Sequence, residues 1–325
     1  MKAIVYTAYG PPEVLSVKEI AQPAPGENEI LIKIRAAAVT SADTAFRKGS
    51  PYSARLFTGI FSPKKTVLGT ELSGEVIAIG KNVRRFRTGD QVFGCTGNGC
   101  GGHAEYIVLS EMAALAQKPA NLTFAEAAGL CEALTALPFL RDKGAIRKGQ
   151  KVLINGASGA VGSYAVQLAR HFGAEVTAVC SAANEELVRK LGAAAVIDYT
   201  TADFTQGTER YDVIFDAVGK SSFRKCKAVL SPSGIYLSTV PTIGLLLRTL
   251  FTSRRKGRRA GFQATGLRPQ TDRAKDLLFL KVLSENGQIR PVTDRIFPLE
   301  AAAEAHRYVE TGRKKGNVVL TIEAH

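Results

Sequence analysis

Hydrophobic and polar positions along this chain follow two rhythms. Up to about residue 120, short segments alternate or run apolar: AIVYTA, EILIKIRAAAVT, SGEVIAIG and QVFGC, separated by Gly-Asp, Pro-Gly and Gly-Asn-Gly. Apolar segments bounded by such residues predict strands with glycine corners, an all-β region. Beyond Ala120 the rhythm changes. Thr123, with Glu126 three residues later, has the pattern of a capping box and predicts a helix through FAEAAGLCEALTALPFLRDKG. The apolar runs KVLIN, EVTAVC, AVIDY, DVIFDAVG and GIYLSTV then alternate with the helical stretches SYAVQLARHFG, NEELVRKLG and one around SSFRKCKAVL. Short apolar strands alternating with helices predict a parallel sheet covered on both faces. The tail reads as an amphipathic helix in DRAKDLLFLKVLSENG, a second helical stretch in EAAAEAHRYVETG and a last strand, NVVLTI.

At 325 residues and 45% hydrophobic content, the chain is expected to form two domains. The N-terminal stretch MKAIVYTAYGPPEVL lacks an apolar core segment, and no uncharged apolar run reaches the roughly 20 residues a membrane span needs. A cytoplasmic protein is expected. Five scattered cysteines, Cys95, Cys100, Cys131, Cys180 and Cys226, fit reduced thiols better than a disulfide framework. The net charge of +14 concentrates at Arg254, Arg255, Lys256, Arg258 and Arg259. Such a surface gathers anions, phosphorylated cofactors among them. No aromatic residues interleave the cluster, so it reads as a solvated basic loop rather than a specific nucleic-acid site.

KVLINGASGAVGS carries the most specific signal. Gly156, Gly159 and Gly162 follow a predicted strand and open a predicted helix inside a strand–helix–strand unit, the context a dinucleotide turn requires. Glycines permit the tight turn and a close approach of backbone to pyrophosphate, and the helix N-terminus offers free N–H groups. Gly156, Ser158, Gly159, Ala160, Val161 and Gly162 are therefore candidate cofactor contacts, with Val218 after the later strand DVIFDA. An NAD site usually carries an acid at the end of the second strand. Here that position reads Cys180-Ser181-Ala182-Ala183-Asn184. The missing acid permits NADP(H), with Ser181, Asn184 and Tyr199 as candidate contacts to a 2′-phosphate. Glu185 and Glu186 read as first-turn helix charges.

The whole chain resembles the medium-chain dehydrogenase/reductases of the zinc-free quinone oxidoreductase type. It is similar within them to bacterial proteins labelled NAD(P)-dependent alcohol dehydrogenases. The residues that carry this are VLGTELSGEVIAIGKNVRRFRTGDQVFG, LINGASGAVGSYAVQLARHFGAEV, ELVRKLGA, VIDY, DVIFDAVG and RKKGNVVLTI. The resemblance implies an α/β protein, with a GroES-like β domain over 1–120 and 269–325 and a doubly wound Rossmann sheet over 121–268. It also implies an active site in the cleft between them and a homodimer joined through the Rossmann sheets. The segment PTIGLLLRTLFTSRRKGRRAGF would then cap the cleft or form the dimer edge, and membrane contact through 243–259 is the alternative.

Zinc members of the superfamily need three protein ligands and an open position. At the first ligand position this chain has Thr40-Ser41-Ala42-Asp43, and at the second Gly69-Thr70-Glu71; only Cys131 keeps a soft ligand at the third. No metal is expected there. Cys95, Cys100 and His103, in CTGNGCGGH, lack a clear fourth ligand and read as a glycine loop. His171 and His306 fall on helices, at positions read as exposed.

A hydride-transfer enzyme without a metal does best with substrates that are already electrophilic, quinones or alkenes conjugated to a carbonyl. By resemblance, Tyr52 is the candidate proton donor, and Thr40, Thr135 and Asn317 are candidate cofactor contacts. The expected function is NADPH-dependent reduction of a quinone, enone or enal. Alternatives are dehydrogenation of simple alcohols, or nucleotide sensing or nucleic-acid binding without turnover.

Overall fold

The structure is a computed structural model that describes residues 1–97, 100–252 and 257–322. The chain divides into two compact units, Met1–Cys131 with Gly266–His325, and Glu132–Thr265.

In chain order the first unit contributes β1 (Lys2–Val5), β2 (Ser16–Glu19), β3 (Glu29–Ala38), α1 (Ser41–Lys48), α2 (Arg55–Thr58), β4 (Glu71–Ile79), β5 (Gln91–Cys95), β6 (Tyr106–Ser110), β7 (Leu115–Gln117) and α3 (Phe124–Leu130). The second runs α4 (Ala133–Pro138), β8 (Lys151–Asn155), α5 (Ala160–His171), β9 (Glu175–Cys180), α6 (Glu185–Leu191), β10 (Ala195–Asp198), β11 (Tyr211–Asp216), α7 (Phe223–Cys226), β12 (Leu230–Ser238), α8 (Ile243–Thr252) and β13 (Arg259–Gly261). The first unit then resumes with α9 (Gln270–Glu285), β14 (Thr293–Pro298), α10 (Ala302–Glu310) and β15 (Asn317–Thr321).

The first unit is built on a seven-stranded sheet in the order β14-β15-β3-β4-β5-β7, with β6 also paired to β3. Its core collects apolar strand residues such as Ile30, Ile32, Ile34, Leu72 and Val76, and the return strand adds Leu320. The predicted all-β character holds for the strands but misses α1. There the buried side is polar, Asp43, Thr44 and Arg47, so no apolar period announces the helix. The capping box at Thr123 and Glu126 is present in both directions, at 3.2 and 2.8 Å. The helix it starts is shorter than the sequence suggested, ending at Leu130 before α4 begins and a π turn follows Pro138. Within the first unit, α3 packs Ala128 against Ala36 and Val319.

All six strands of the second unit are parallel, in the order β10-β9-β8-β11-β12-β13. Counted from β8, that is 3-2-1-4-5-6, the doubly wound order whose direction reverses between β8 and β11. Leu153, Val179, Ile214 and Tyr236 form part of its core. In sheets of this kind ligands bind beyond the carboxyl ends of the strands at the reversal point. Among the described residues, no helix is long and apolar enough to cross a membrane.

Candidate functional site

The turn after β8 lies at that reversal point. Gly156 takes φ +79°, and its N–H and that of Ala157 both donate to Val179 O at 3.1 Å. A Cβ on Gly156 would stand 2.5 Å from Cγ1 of Val218, so Val218 closes over the turn. Gly162, in the first turn of α5, faces Gly156 O so closely that a Cβ would come within 2.0 Å of it. Gly159 differs from both. It is the N-cap of α5, in extended backbone, and a Cβ there would meet a single neighbour, Gly156 O, at 3.4 Å. No side chain caps α5. Helix geometry leaves the N–H groups of Ala160, Val161 and Gly162 without partners inside the helix, and the aligned dipole adds positive potential. The local structure thus offers N–H groups that the helix itself leaves unpaired, the first requirement of a phosphate cradle.

At the end of β9, Asn184 joins the turn to the next strand. Its Nδ2 donates to Ser158 Oγ at 3.1 Å and to Ser181 Oγ at 3.3 Å. Its Oδ1 is buried without a hydrogen-bond partner among the described residues. Ser158 of the glycine turn thus joins Ser181 and Asn184 in one cluster, whereas the sequence grouped those two with Tyr199. Tyr199 is exposed and holds its place through its N–H on Cys180 O. Glu185 and Glu186 occupy the first turn of α6 and pair with Arg189 and Lys190 one turn on.

Two carboxylates escaped the sequence reading. Asp198 ends β10 in register with Cys180. It accepts from Thr200 N and Oγ1 at 2.9 and 2.8 Å. These bonds, with one from the Ala182 N–H, hold its carboxyl below the usual carboxylate range. Asp216, fully buried at the end of β11, accepts from Asn155 Nδ2, from the N–H groups of Val218, Gly219 and Ser221, and from the Tyr236 hydroxyl. It ties the ends of β8, β11 and β12 together beside the glycine turn. Burial, and then the charge of Asp216, push the Tyr236 phenol far above its ordinary pKa.

Thr135 sits half-buried on α4, also in the second unit. The remaining candidates belong to the first. Thr40 is buried and caps α1: its Oγ1 donates to Asp43 Oδ2 at 2.7 Å and accepts from Asp43 N at 3.0 Å. Tyr52 is 63% exposed in a short 3₁₀ turn, with Arg55 stacked 5.0 Å from its ring centroid. Asn317 is buried, donates from Nδ2 to Val292 O at 2.9 Å and packs against Gly129.

His171 is exposed as read, but His306 is fully buried, its ring 5.7 Å from that of His103. Burial first, then His103 and Arg47, push its pKa well below the ordinary histidine value, so it stays neutral and is no proton donor near neutral pH.

The same side chains test whether zinc would fit. Cys131 Sγ donates to Gly94 O at 3.4 Å. Burial, reinforced by Cys95, raises its pKa well above that of a free thiol. Thr40 is committed to its cap, and His103 Nε2 lies 3.0 Å from Ala38 O. Among the described residues, no three His, Cys, Asp or Glu side chains converge as a metal site. The donor set does not fit zinc.

Residues 26–120 match the alcohol dehydrogenase GroES-like domain family, and residues 191–320 the zinc-binding dehydrogenase family. The chain is 34% identical to 2-methylene-furan-3-one reductase of Solanum lycopersicum, over 98% of this chain and 79% of that one. It is 33% identical, with the same two coverages, to an NADPH-dependent alkenal/one oxidoreductase of Arabidopsis thaliana chloroplasts. The solved quinone oxidoreductase of Coxiella burnetii superposes with a TM-score of 0.88 at 32% identity, over 99% of each chain.

Proposed function

Because this chain belongs to the medium-chain dehydrogenase/reductase superfamily, among its quinone oxidoreductase-like members, we propose that it is an NADPH-dependent reductase of quinones or α,β-unsaturated carbonyl compounds. The observation that carries the cofactor half is the α5 N-terminus, uncapped by any side chain, with free room at Gly159. The substrate class is supported by the chemistry that the relatives' names describe. The dihydronicotinamide, when bound, supplies a hydride. The turn from Gly156 to Gly162 holds the pyrophosphate, and Val218 fixes the shape of that turn.

For the ribose end we propose NADP(H) over NAD(H). Ser181 presents its hydroxyl at the end of β9, held there by the Asn184 amide, where an acid would repel a 2′-phosphate. Asp198 is the nearest acid in register, and its oxygens are engaged by Thr200 and Ala182. Without a metal the substrate must bring its own electrophilic carbon, which quinones and enones do. Reduction at that carbon would place negative charge on the carbonyl oxygen, and a proton would complete it. Tyr52 would donate that proton, and its exposure lets solvent reload it. We also propose a homodimer built on β13, an edge strand of the parallel sheet.

The test is oxidation of NADPH and NADH by chelator-treated protein, with a small quinone and an unsaturated aldehyde offered separately. The expected result is turnover on at least one acceptor, with kcat/KM higher for NADPH. Asn184→Asp should cut the NADPH:NADH ratio by roughly tenfold or more, about 1.4 kcal/mol, by placing a carboxylate against the phosphate. An unchanged ratio would remove Asn184 from the ribose site. Tyr52→Phe should lower kcat by about 10²-fold with KM little changed, the effect of losing a general acid. Equal kcat would assign proton delivery to water.

A further inference from the structure

Helix α8 presents an apolar face that nothing in the second unit covers. Ile243, Leu246, Leu247, Leu250 and Phe251 are all exposed, Ile243 by 80% and Leu250 by 71%, while Leu245 turns inward. Spacings of three and four place the five on one stripe. Scattered exposed leucines are ordinary, but a contiguous stripe of large apolar residues marks an interaction surface.

Two further observations say what covers it. A cavity of about 170 Å³ at the start of α8 is lined by Ser221, Ser222, Arg224, Thr242 and Arg248 among others, combining two guanidinium groups with hydroxyls. Between Asp216 and Asp272, moreover, the sequence contains eleven lysines and arginines and no acidic residue. Arg254, Arg255 and Lys256 lie outside the described residues, and their charge enters here from sequence alone.

A second copy on this stripe would cover the leucines but bring no counter-charge to the basic residues. A dimer on the β13 edge uses main-chain groups and does not require the stripe. Nucleic acid would meet the charge and leave the leucines in water. An anionic bilayer satisfies both, since apolar side chains enter the headgroup–acyl boundary while arginines meet lipid phosphates. We propose that the second unit docks on anionic phospholipid membranes through the α8 stripe, with the Arg224–Arg248 cavity receiving a lipid phosphate. The inference does not rest on the substrate reading, since vesicle binding requires no turnover.

The test is co-sedimentation of the full chain with vesicles of phosphatidylcholine alone and of phosphatidylcholine with phosphatidylserine, at low and high salt. The expected result is binding to the anionic vesicles roughly tenfold or more above the neutral ones, weakened by salt. Leu250→Glu with Phe251→Glu should abolish it. Both positions are exposed, so the variant should keep the wild-type unfolding midpoint. Arg224→Gln with Arg248→Gln should weaken it while leaving the apolar stripe intact. Sedimentation velocity on the Leu250→Glu/Phe251→Glu variant separates the rival occupant. A change of oligomeric state would make the stripe a contact between copies and overturn the proposal. Equal binding to both vesicle types, no binding, or displacement of vesicle-bound protein by RNA with the stripe variant unaffected would overturn it as well.

Discussion

Alanine at Gly162 should cost this protein stability, whereas alanine at Gly159 should cost it nucleotide affinity. Both residues belong to one turn, and they separate because their missing side chains point at different things. At Gly162 a Cβ would lie 2.0 Å from Gly156 O, 2.8 Å from Gly156 C and 2.9 Å from Ala157 Cα, all backbone atoms. No rotamer change relieves such a contact. The first turn of α5 has to move away from the end of β8, breaking the bond from Gly159 N to Gly156 O. Overpacking of this kind costs about 1–3 kcal/mol, or roughly 5 °C in Tm for a chain of this size. At Gly159 a Cβ would meet, among the described residues, Gly156 O at 3.4 Å, an ordinary contact, so Gly159→Ala should fold like the wild type. The methyl group instead fills the room in front of the free N–H groups. Losing one or two charge-assisted bonds to phosphate there should weaken NADPH binding by about tenfold to hundredfold. Thermal unfolding and a fluorescence titration with NADPH measure the two effects. If Gly159→Ala bound NADPH as tightly as wild type, the pyrophosphate would lie elsewhere and the cofactor assignment would fail with it.

That turn was legible in the sequence because its glycines answer to backbone geometry, which local sequence states directly. The same holds for the capping box at Thr123 and Glu126 and for the alternation that gave the parallel sheet. What stayed hidden depends on tertiary partners. Helix α1 packs Asp43 and Arg47 inward, so the apolar period that reveals a helix is missing. His306 reads as an exposed helical residue when taken alone. Yet Ala302, Ala305 and Val309 recur at three- and four-residue spacings around it, and that buried face was available to the eye. Asn317 was assigned by resemblance, and nothing in RKKGNVVLTI says that its amide turns toward Val292 and Gly129. The site shows the same division: the glycine turn could be read from the chain, whereas the packing that supports it could not.

Replacement of Asp216 by alanine should be among the most damaging single changes in the second unit. In the sequence it is one acid closing the apolar strand DVIFD, with no sign of its bonds. In the structure its Oδ1 accepts from Asn155 Nδ2 at 2.9 Å, Val218 N at 3.2 Å and Gly219 N at 2.8 Å. Oδ2 accepts from Ser221 N at 2.8 Å and from the Tyr236 hydroxyl at 2.9 Å. Asn155 and Tyr236 are both buried, so the donors released by Asp216→Ala have no ready water. Each buried polar group left alone costs about 1–3 kcal/mol, and the loss should reach about 4 kcal/mol or more, well into the range of exceptional mutations. Asp216→Asn keeps the shape but turns an amide N–H₂ toward some of these donors, and should cost about 2 kcal/mol. The order wild type, Asn, Ala in the midpoint of urea unfolding is the expected result. The two variants should also lose NADPH affinity in that order, because the Asn155 bond anchors the residue immediately before Gly156. A loss below about 1 kcal/mol for Asp216→Ala, the size of an ordinary substitution, would mean that the strand ends hold without the carboxylate.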